Sequence, residues 1–517
     1  MHGSKALSFV FALAALSSWS QYAIQWQRVL GSNADDLGKS VAQTPDGGYL
    51  VAGELGGPGL TTTCAYPGSG AWVIKLDSQG EVVWERCLGG SGADRFNDLV
   101  LTSDGGALLV GETWSNNGDA VGHHGMGDVW VVKLNTTGGL EWQRCFGGAN
   151  EESGRGITKS SDGGYVVVGK SRSADGDLNG NNGSDDLWVI KLNSEGDLVW
   201  QRNLGGSDSD DAQAVCETDD GNFVAVGRTA SDNGDVSGHF NQFDLWAVKL
   251  DNNGDLIWQS CLGGTHWDIG YSVIPEDNGG CLVAGLTFSN NGAVSGNNGP
   301  VNMGWGTADN WLVRIDGDGS MSEQKCIGGS SNDKGYSLSP MSDGYLIAGE
   351  TGSDDGFASP VFGAEDFSLV KVGADLDLQW QFSLGGSFFD VAYSAQETAD
   401  GGIIVTGYSQ SSDGQVAGNL GEKDLWLVKL RPIGTAVDPP SAPHVTMLPN
   451  PANTFVQLVV DQPGRVLRVF NTQGRILVDS RMDGTHYNLD LARWPKGLYV
   501  VQVHSALGTF NKRLVVH

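Results

Sequence analysis

The feature that most constrains this chain is a short segment that recurs seven times in its first 430 residues or so. In six of the seven copies a Trp stands three residues before a position that is often Cys, and six of the copies end on Gly-Gly, as in Trp84-Glu-Arg-Cys-Leu-Gly-Gly. Successive copies start 58, 58, 58, 58, 65 and 57 residues apart, so the register is kept throughout. A fixed period of this kind is typical of repeat architectures. The equivalent positions are Trp26, Trp84, Trp142, Trp200, Trp258, Glu323 and Trp380.

The pattern inside one unit predicts four short antiparallel strands. A first strand such as residues 39–44 ends at an Asp-Gly-Gly turn, which is a strong signal for a tight hairpin. A second strand, a loop of about fifteen residues, a third strand such as residues 186–192 and a hairpin then lead to the Trp strand. Such a unit cannot bury its own faces, so neighbouring units must stack. Seven stacked sheets in a circle would make an all-β, seven-bladed β-propeller.

The two ends of the repeat region favour a closed ring. The first unit opens with a lone Trp strand at residues 24–29, whereas the last unit has three strands and ends at Leu430 without a fourth. The N-terminal strand would therefore complete the last blade. An open solenoid would need polar caps at its ends instead. We expect residues 21–430 to form the closed propeller.

Composition and the N-terminus predict an exported, soluble monomer. A formal net charge of −30 would repel a phosphate backbone, so nucleic acid is not an expected partner. Lys5 precedes an apolar run over residues 6–16 and small residues at Ser18 and Ser20, which predicts a signal peptide over residues 1–20. No later stretch has the length of an apolar transmembrane segment.

The seven cysteines are odd in number and form no Cys-x-x-Cys pair, which argues against a zinc site and a complete disulfide framework. Cys87, Cys145, Cys261 and Cys326 share one repeat position, so they would lie on separate blades, beyond the roughly 7 Å that a disulfide can bridge. We expect these four to act as small buried apolar residues. At least one thiol must be unpaired or bonded to another molecule.

Two resemblances concern the repeat. Residues 76–84 resemble the tryptophan-docking motif of quinoprotein propellers, although the interval from Asp77 to Gly80 is one residue shorter and the Thr is absent. The whole unit is similar to the Gly- and Trp-rich repeat propellers of secreted proteins from Gram-negative bacteria. That family is defined by architecture, so the resemblance implies a fold and no particular activity.

A second domain follows a change in composition. Residues 431–443 are Pro-rich and read as an extended linker, and the strands predicted over residues 444–517 lack the Trp repeat and suit a small β-sandwich. Five spaced segments here resemble the type A C-terminal sorting domain of the type IX secretion system, which implies that this machinery is a partner. In that family the domain carries cargo across the outer membrane and is then usually removed, so the cargo is released or held at the surface. An ordinary accessory β-sandwich is the alternative. The residues that carry the resemblance include Pro449, Asn450, Pro451, Gly474, Gly497, Tyr499 and Lys512.

Two acidic positions recur around the predicted ring. Seven equivalent carboxylates would lie at one height and could line a cation-attracting mouth, but each follows a Gly-containing turn and precedes a strand. We favour a structural role, in which each accepts backbone N–H groups and fixes the entry into the strand. The same interpretation covers a second set, which precedes the third strands. The first set is Asp36, Asp94, Glu152, Asp210, Asp268, Asp333 and Asp390, and the second is Asp128, Asp186, Asp244, Asp309, Asp366 and Asp424.

Several long loops carry the pattern Ser-x-Asp/Asn-Gly-Asp, which places oxygen ligands at alternating positions. The loop with Asp175, Asp177, Asn179 and Asp185 is the one most similar to a calcium loop, and calcium is the cofactor that the sequence suggests. No Glu stands twelfth to supply a bidentate ligand. The alternative is that Asn-Gly and Asp-Gly only make turns.

Exposed aromatic residues in the loops suggest a sugar site. The fifth unit has the longest loop, which contains Trp305, and His266 and Trp267 stand nearby; Trp114 lies in the loop of the second unit. Trp beside amide groups can stack on a pyranose ring. The alternative is that these residues only pack their own loops. No nucleophile elbow, zinc-protease motif or phosphate loop is present, so no catalytic residue is assigned. Paired carboxylates for glycoside cleavage stay open because acids are so numerous.

The sequence thus predicts a secreted or surface-attached binding scaffold that contacts an extracellular glycan or protein through loops on one face. A polysaccharide hydrolase or lyase and a purely structural surface-assembly protein are the alternatives.

Overall fold

The computed structural model describes residues 22–57, 69–299, 306–355, 361–433, 445–448, 454–471, 475–505 and 508–516. The signal peptide predicted over residues 1–20 and most of the predicted linker lie outside these ranges. The chain divides into two compact units between Pro432 and Ile433. In the described part the regular structure is almost entirely strand, with one short 3-10 turn at Asp277–Gly279, and no helix there is long and apolar enough to cross a membrane.

The first unit contains seven antiparallel sheets of four strands each, which we number 1 to 7 in chain order. The first strands are Asp36–Gln43, Asp94–Leu101, Glu152–Lys159, Asp210–Glu217, Asp268–Pro275, Asp333–Met341 and Asp390–Glu397. The second strands are Tyr49–Leu55, Ala107–Thr113, Tyr165–Ser171, Phe223–Thr229, Cys281–Thr287, Gly344–Thr351 and Ile403–Ser409. The third strands are Gly70–Leu76, Asp128–Leu134, Asp186–Leu192, Asp244–Leu250, Asp309–Ile315, Asp366–Val372 and Asp424–Pro432. The fourth strands of sheets 1 to 6 are Val82–Leu88, Leu140–Phe146, Leu198–Leu204, Leu256–Leu262, Met321–Ile327 and Leu378–Leu384.

The fourth strand of sheet 7 comes from the start of the chain. Tyr22–Leu30 pairs antiparallel with Asp424–Pro432, as the one-plus-three pattern of the sequence predicts. The side chains repeat the arrangement of an ordinary sheet. Trp426 Nε1 donates to Gln27 Oε1 at 2.9 Å, just as Trp188 Nε1 donates to Gln201 Oε1 at 2.9 Å in sheet 3. We call Tyr22–Leu30 the clasp strand.

Apolar faces pack between neighbouring sheets, and Trp supplies most of the volume there. Six of the seven third strands carry a Trp that is almost fully buried, and sheet 6 has Ser368 there instead. The indole N–H is satisfied by a Gln on the fourth strand in five of the sheets. The Trp of a fourth strand instead covers the hairpin of the next sheet. A Cβ added to Gly80 would stand 2.7 Å from the ring of Trp26, and one added to Gly254 would stand 2.8 Å from Trp200, so this hairpin position must be Gly.

At one junction between neighbouring sheets, other residues replace both the Trp and the Gly of this contact. Sheet 5 has Glu323 where its fourth strand would carry the Trp, and the hairpin of sheet 6 has Leu376 where the others have Gly. Lys325 still bonds to Asp377 of that hairpin at 2.7 Å, so the two segments keep their usual relation. Leu376 is fully buried despite a left-handed backbone φ of 55°. Its side chain occupies the space that the missing indole leaves.

The cysteines require one correction. Cys87 is disulfide-bonded, so it is not the isolated apolar residue that its repeat position predicts. Cys145, Cys216 and Cys281 are buried free thiols, whereas Cys261 and Cys326 are free and partly exposed. The prediction failed at Cys87 because the symmetry of the repeat says nothing about a cysteine that lies outside this repeat position.

The second unit is a single antiparallel sheet of five strands: Val445–Leu448, Phe455–Asn471, Ile476–Asp490, Gly497–Ser505 and Gly508–Val516. This differs from the two separate sheets of a β-sandwich. The pairing of the two longest strands shifts register between Val459 and Gly464, and one apolar core joins residues from both halves, such as Val456 and Val469. The sheet therefore bends around its core.

Glu323 and Leu376 replace the usual Trp and Gly at the junction of sheets 5 and 6. We expect the effects of substitutions at these two positions on stability to depend on each other. Glu323→Trp alone should destabilise the protein by about 1–3 kcal/mol, because the indole would meet Leu376. Leu376→Gly alone should cost about 2–5 kcal/mol through lost burial. The double variant restores the Trp and Gly of the other junctions. Its loss in the free energy of unfolding should therefore be smaller than the sum of the two single losses by at least about 1 kcal/mol. Urea unfolding of the four proteins measures this, and simple additivity would contradict the account.

Candidate functional site

The first acidic set is buried at the seams between sheets. Each residue starts the first strand of its sheet and accepts a hydrogen bond from the backbone N–H four residues earlier, as Asp210 Oδ2 does from Gly206 at 2.8 Å. In sheet 4 the same carboxylate also accepts from the hydroxyls of Thr229 and Ser231. The predicted structural role is therefore confirmed, and these residues do not line an open mouth, since all seven are at most 1% exposed.

The second acidic set faces the first across six of the seams. Asp186 of sheet 3 and Asp210 of sheet 4 both place an oxygen within 2.8 Å of the point where a Cβ on Gly205 would stand. This explains the first Gly of the Gly-Gly motif, because any side chain would overlap the two carboxyl groups. In every member of the second set, Oδ1 is buried and has no hydrogen-bond partner among the described residues. Sheet 1 has Gly70 at this position, so the seam between sheets 1 and 2 carries Asp94 alone.

Burial raises the pKa values of several second-set carboxyl groups in these pairs. Desolvation, with repulsion from Asp333, raises the pKa of Asp309 to about 7, although hydrogen bonds from Asn298 oppose the shift. Burial likewise raises the pKa values of Asp186 and Asp366 to about 6. Two buried carboxyl groups side by side cannot both ionise cheaply. A proton on one Oδ1 would donate to the facing carboxylate and satisfy the unpartnered atom.

The loop pattern Ser-x-Asp/Asn-Gly-Asp fastens the Gly-Gly segment. Asp175 Oδ1 accepts from the N–H of Ala149 at 2.9 Å, and Asp177 Oδ2 accepts from Gly147 at 3.1 Å. Asp185 lies elsewhere, bonded to Arg172 at 2.5 Å and 3.2 Å, and Asn179 is exposed. In the part of the chain that the structure describes, no group of three His, Cys, Asp or Glu residues could hold a metal ion. Calcium binding by these residues stays a prediction, but the structure does not bring the three aspartates together.

A row of unlike side chains crosses this regular frame. Each first strand has a β-bulge at its fourth residue, which leaves that residue unpaired against the second strand. A bulge re-aims a side chain, and here the residue differs strongly between sheets. We call these residues the inner row: Lys39, Asn97, Arg155, Gln213, Tyr271, Tyr336 and Tyr393.

Members of the inner row contact one another. The ring centroids of Tyr271 and Tyr336 are 5.1 Å apart, and those of Tyr336 and Tyr393 are 5.7 Å apart. Lys39 Nζ of sheet 1 lies 3.5 Å from the ring centroid of Tyr393 of sheet 7. Burial lowers the pKa of Lys39 to about 7. The row therefore runs continuously across sheets 5, 6, 7 and 1.

Beside the inner row, sheets 3, 4 and 5 enclose a polar cavity of about 240 Å³, which we call the basic cavity. It lies at the end of the sheets where the long loops join the second and third strands. Asp211 pairs with Arg228 at 2.8 Å, and Lys170 lies 3.2 Å from Glu151 and 3.5 Å from Asp185. Its walls are Arg155, Lys170, Asp185, Asp211, Gln213, Arg228, Ile269 and Tyr271.

The predicted aromatic residues do not form one site. Trp114 lines a second cavity with Arg95 and several acidic residues, between sheets 1, 2 and 3. Trp267 packs edge-on against Phe243, whose ring in turn lies 4.4 Å from the guanidinium of Arg228 in the basic cavity. The N–H of His266 donates to Ser289 Oγ at 3.0 Å. Trp305 lies outside the described residues. Of the three that the structure describes, Trp267 is the one linked to the basic cavity, through Phe243.

Sequence reasoning missed Arg155, Lys170 and Arg228. A signal was present, since each second strand carries a Gly, such as Gly169, where a Cβ would overlap a carbonyl oxygen of the bulged strand. Gly inside a strand often marks a bulge. Comparing the seven units at the bulge would have exposed the inner row as the position that breaks the repeat.

The sorting residues are only partly described. Pro449, Asn450, Pro451 and Gly474 lie outside the described ranges. Gly497 begins the fourth strand of the second unit, and the Tyr499 hydroxyl donates to the Pro495 carbonyl at 2.5 Å. Lys512 pairs with Val501 in the backbone ladder of the last two strands.

Residues 446–517 match the family model of the secretion system C-terminal sorting domain. The resemblance seen in the sequence is thus confirmed for the tail, and a type IX sorting domain indicates export to the cell surface or beyond. The secretion machinery is accordingly a partner of the chain.

The chain is also similar to several other proteins. Regulatory protein FlaEY of Caulobacter vibrioides is 29% identical over 218 residues, which is 40% of this chain and 22% of FlaEY, so the match spans about a fifth of that protein. The WD40 β-propeller domain of Doa1 has 12% identity and a TM-score of 0.44, covering 78% of this chain and 96% of that one. The WD40 domain of Neurospora crassa Pan2 has 7% identity and a TM-score of 0.40, covering 77% and 97%. A protein described as the extracellular domain of a hybrid two-component system from B. thetaiotaomicron has 7% identity and a TM-score of 0.42, covering 96% and 60%.

The paired carboxyl groups at the seams predict that the stability of the protein depends on pH. One substitution should reduce that dependence. Because the pKa of Asp309 is higher in the folded chain than its ordinary value, its contribution to stability is present below about pH 4 and is lost as the pH rises through 7. Asp309→Asn keeps the acceptor for Asn298 and places an amide N–H beside Asp333. Between pH 5 and pH 8 the variant should therefore gain about 2–3 kcal/mol of stability relative to the wild type, because only the wild type has to ionise this buried group.

Asp46→Asn is the matched control in chemical unfolding at both pH values. Asp46 accepts hydrogen bonds from Thr44 and Lys75, which lower its pKa to about 2, so this variant should be destabilised at pH 5 and at pH 8. The absence of this relative gain in Asp309→Asn would contradict the protonated pair.

Proposed function

We propose that sheets 1 to 7 close into a seven-bladed β-propeller, which acts as an exported scaffold that binds an extracellular glycan or protein on its long-loop face. Closure is supported by a bond that recurs at every seam. The backbone N–H of each first-set acid donates to the carbonyl just before the third strand of the preceding sheet, as Asp210 does to Asp185 at 2.7 Å. The seventh bond runs from Asp36 of sheet 1 to Lys423 of sheet 7, also at 2.7 Å.

Other contacts at this last seam repeat those found elsewhere. Asp36 of sheet 1 and Asp424 of sheet 7 flank Gly31, as Asp210 and Asp186 flank Gly205. The first strands of sheets 1 and 7 pack side by side, with the N–H of Val41 donating to Ser394 Oγ at 3.3 Å. The seam between sheets 7 and 1 therefore has the same kinds of contact as the seams between sheets that follow each other in the chain. A closed ring explains this likeness.

The proposed organisation of the chain follows. Residues 1–20 would be removed as a signal peptide, residues 21–430 would form the propeller and residues 431–443 would be the linker. Residues 444–517 would deliver the propeller through the type IX system. The mature protein would then be a monomer that is released or held at the surface.

The observation that carries the binding role is the inner row. The frame repeats its seams almost without change, yet the seven bulge residues include Lys, Asn, Arg, Gln and Tyr. Packing between sheets does not require this variety. Divergent side chains on a rigid scaffold, at the end that carries the long loops, are the usual arrangement of a recognition surface.

Polysaccharide cleavage is the alternative function. A glycosidase needs two accessible carboxyl groups about 5–9 Å apart, flanking the bond. The seam pairs, such as Asp186 with Asp210, are fully buried and cannot reach a substrate, whereas Glu54, Glu112 and Glu151 line the cavity beside Trp114. We prefer binding because the inner row is where the sheets differ most.

A glycan array beside a reducing-sugar assay tests this function. We expect the purified protein to retain a subset of extracellular glycans and to release no reducing ends from them. Tyr271→Ala, which alters the inner row without touching a seam carboxylate, should weaken retention at least tenfold. Sugar release that is abolished by changing one or two acidic residues would establish an enzyme instead.

A further inference from the structure

We propose that the basic cavity binds the carboxylate group of an acidic sugar through Arg155. This inference rests on the proposed binding function and names its ligand class. The first observation is the state of Arg155, which lines the cavity and makes no hydrogen bond or ion pair with any described residue. An Arg presents five N–H donors in a planar fork that matches a carboxylate.

The other cations of the cavity are already engaged. Arg228 Nε donates to Asp211 at 2.8 Å, and Lys170 lies between Glu151 and Asp185. These ion pairs hold the walls in place and leave Arg155 as the charge without a partner. A protein with a net charge of −30 has little general attraction for anions, so a site with an uncompensated guanidinium is a local specialisation.

The remaining walls suit a sugar better than an acidic peptide. Asp211 accepts from Gln213 Nε2 at 2.7 Å, and Asp185 faces the same space, so carboxylate and amide oxygens are available for hydroxyl groups. Trp267 is 37% exposed and is joined to the cavity through Phe243 and Arg228, which adds an aromatic surface at its edge.

The size of the cavity sets the scale of the ligand. A volume of about 240 Å³ is below the roughly 300–1,000 Å³ of pockets for drug-sized molecules. It therefore has room for one sugar ring, and a longer chain would continue over the loop face. The ligand class is a glycan with exposed uronic acid residues.

Calorimetric titration of the purified full chain tests this assignment with short oligomers of galacturonate, glucuronate and mannuronate. The methyl esters of the same oligomers, a polyglutamate peptide and sodium sulfate are the comparison ligands. We expect at least one uronate oligomer to bind and its methyl ester to bind at least tenfold more weakly. The peptide and free sulfate should also bind at least tenfold more weakly than that oligomer.

Arg155→Gln removes the charge and should weaken uronate binding by about ten- to a hundredfold. Arg202→Gln is the matched control, because Arg202 pairs with Asp255 on a hairpin away from the cavity and its loss should leave the affinity unchanged. Equal thermal melting of the two variants would show that both are folded.

The assignment is overturned if no uronate binds, if the ester or the peptide binds as well as the acid, or if Arg155→Gln binds like the wild type. Retention of a neutral glycan that is insensitive to Arg155→Gln would also overturn it, while the binding function itself would stand. Failure of every glycan and protein ligand would remove both.

Discussion

The buried carboxylate at the start of each first strand is the interaction on which the rest of the first unit depends. Through Asp210 the Gly-Gly segment, the long loop and the first strand are held at one point, while its own N–H bonds to the preceding sheet. One residue thus fixes both the entry into a sheet and the seam with its neighbour. This explains why Gly-Gly and the Ser of the loop pattern recur with it, since each supplies a donor or makes room for the carboxyl group. Unpaired, such a buried charge would be costly.

The sequence was sufficient for those parts of the fold that depend on local pattern. Strand number, the Asp-Gly-Gly turns and the clasp strand follow from a period of about 58 residues, turn chemistry and the count of strands at each end. Features that depend on contacts between distant residues were not predictable in this way. The facing of Asp186 and Asp210 across a seam, the disulfide at Cys87 and the exchange of Trp and Gly for Glu323 and Leu376 all require knowing which segments meet.

The candidate site shows the same division. The acidic residues that repeat most regularly form hydrogen bonds within the repeated sheets. The loop pattern that suggested calcium accepts hydrogen bonds from the Gly-Gly segment. Trp267 was named from its residue type, but Arg155 was not, because the strand Gly that marks the bulge points to the whole inner row and not to one residue of it. Within that row, Arg155 is distinguished by its place in the basic cavity. A rigid frame with divergent side chains beside one cavity is well suited to recognition, because little order has to be gained on binding.

Closure of the seven sheets by the clasp strand is the central claim, and an engineered disulfide tests it most directly. Ala23 on the clasp strand and Arg431 on the last strand of the repeat are partners in the ladder, so Ala23→Cys with Arg431→Cys should form a cross-link on mild oxidation, detected in the tryptic peptides by mass spectrometry. The cross-link should stabilise the protein by about 2–4 kcal/mol, whereas Ala23→Cys with Arg202→Cys should form none. If both introduced thiols of the first pair remain free to alkylation in the folded protein, the clasp strand is not on sheet 7 and the ring is not closed as described.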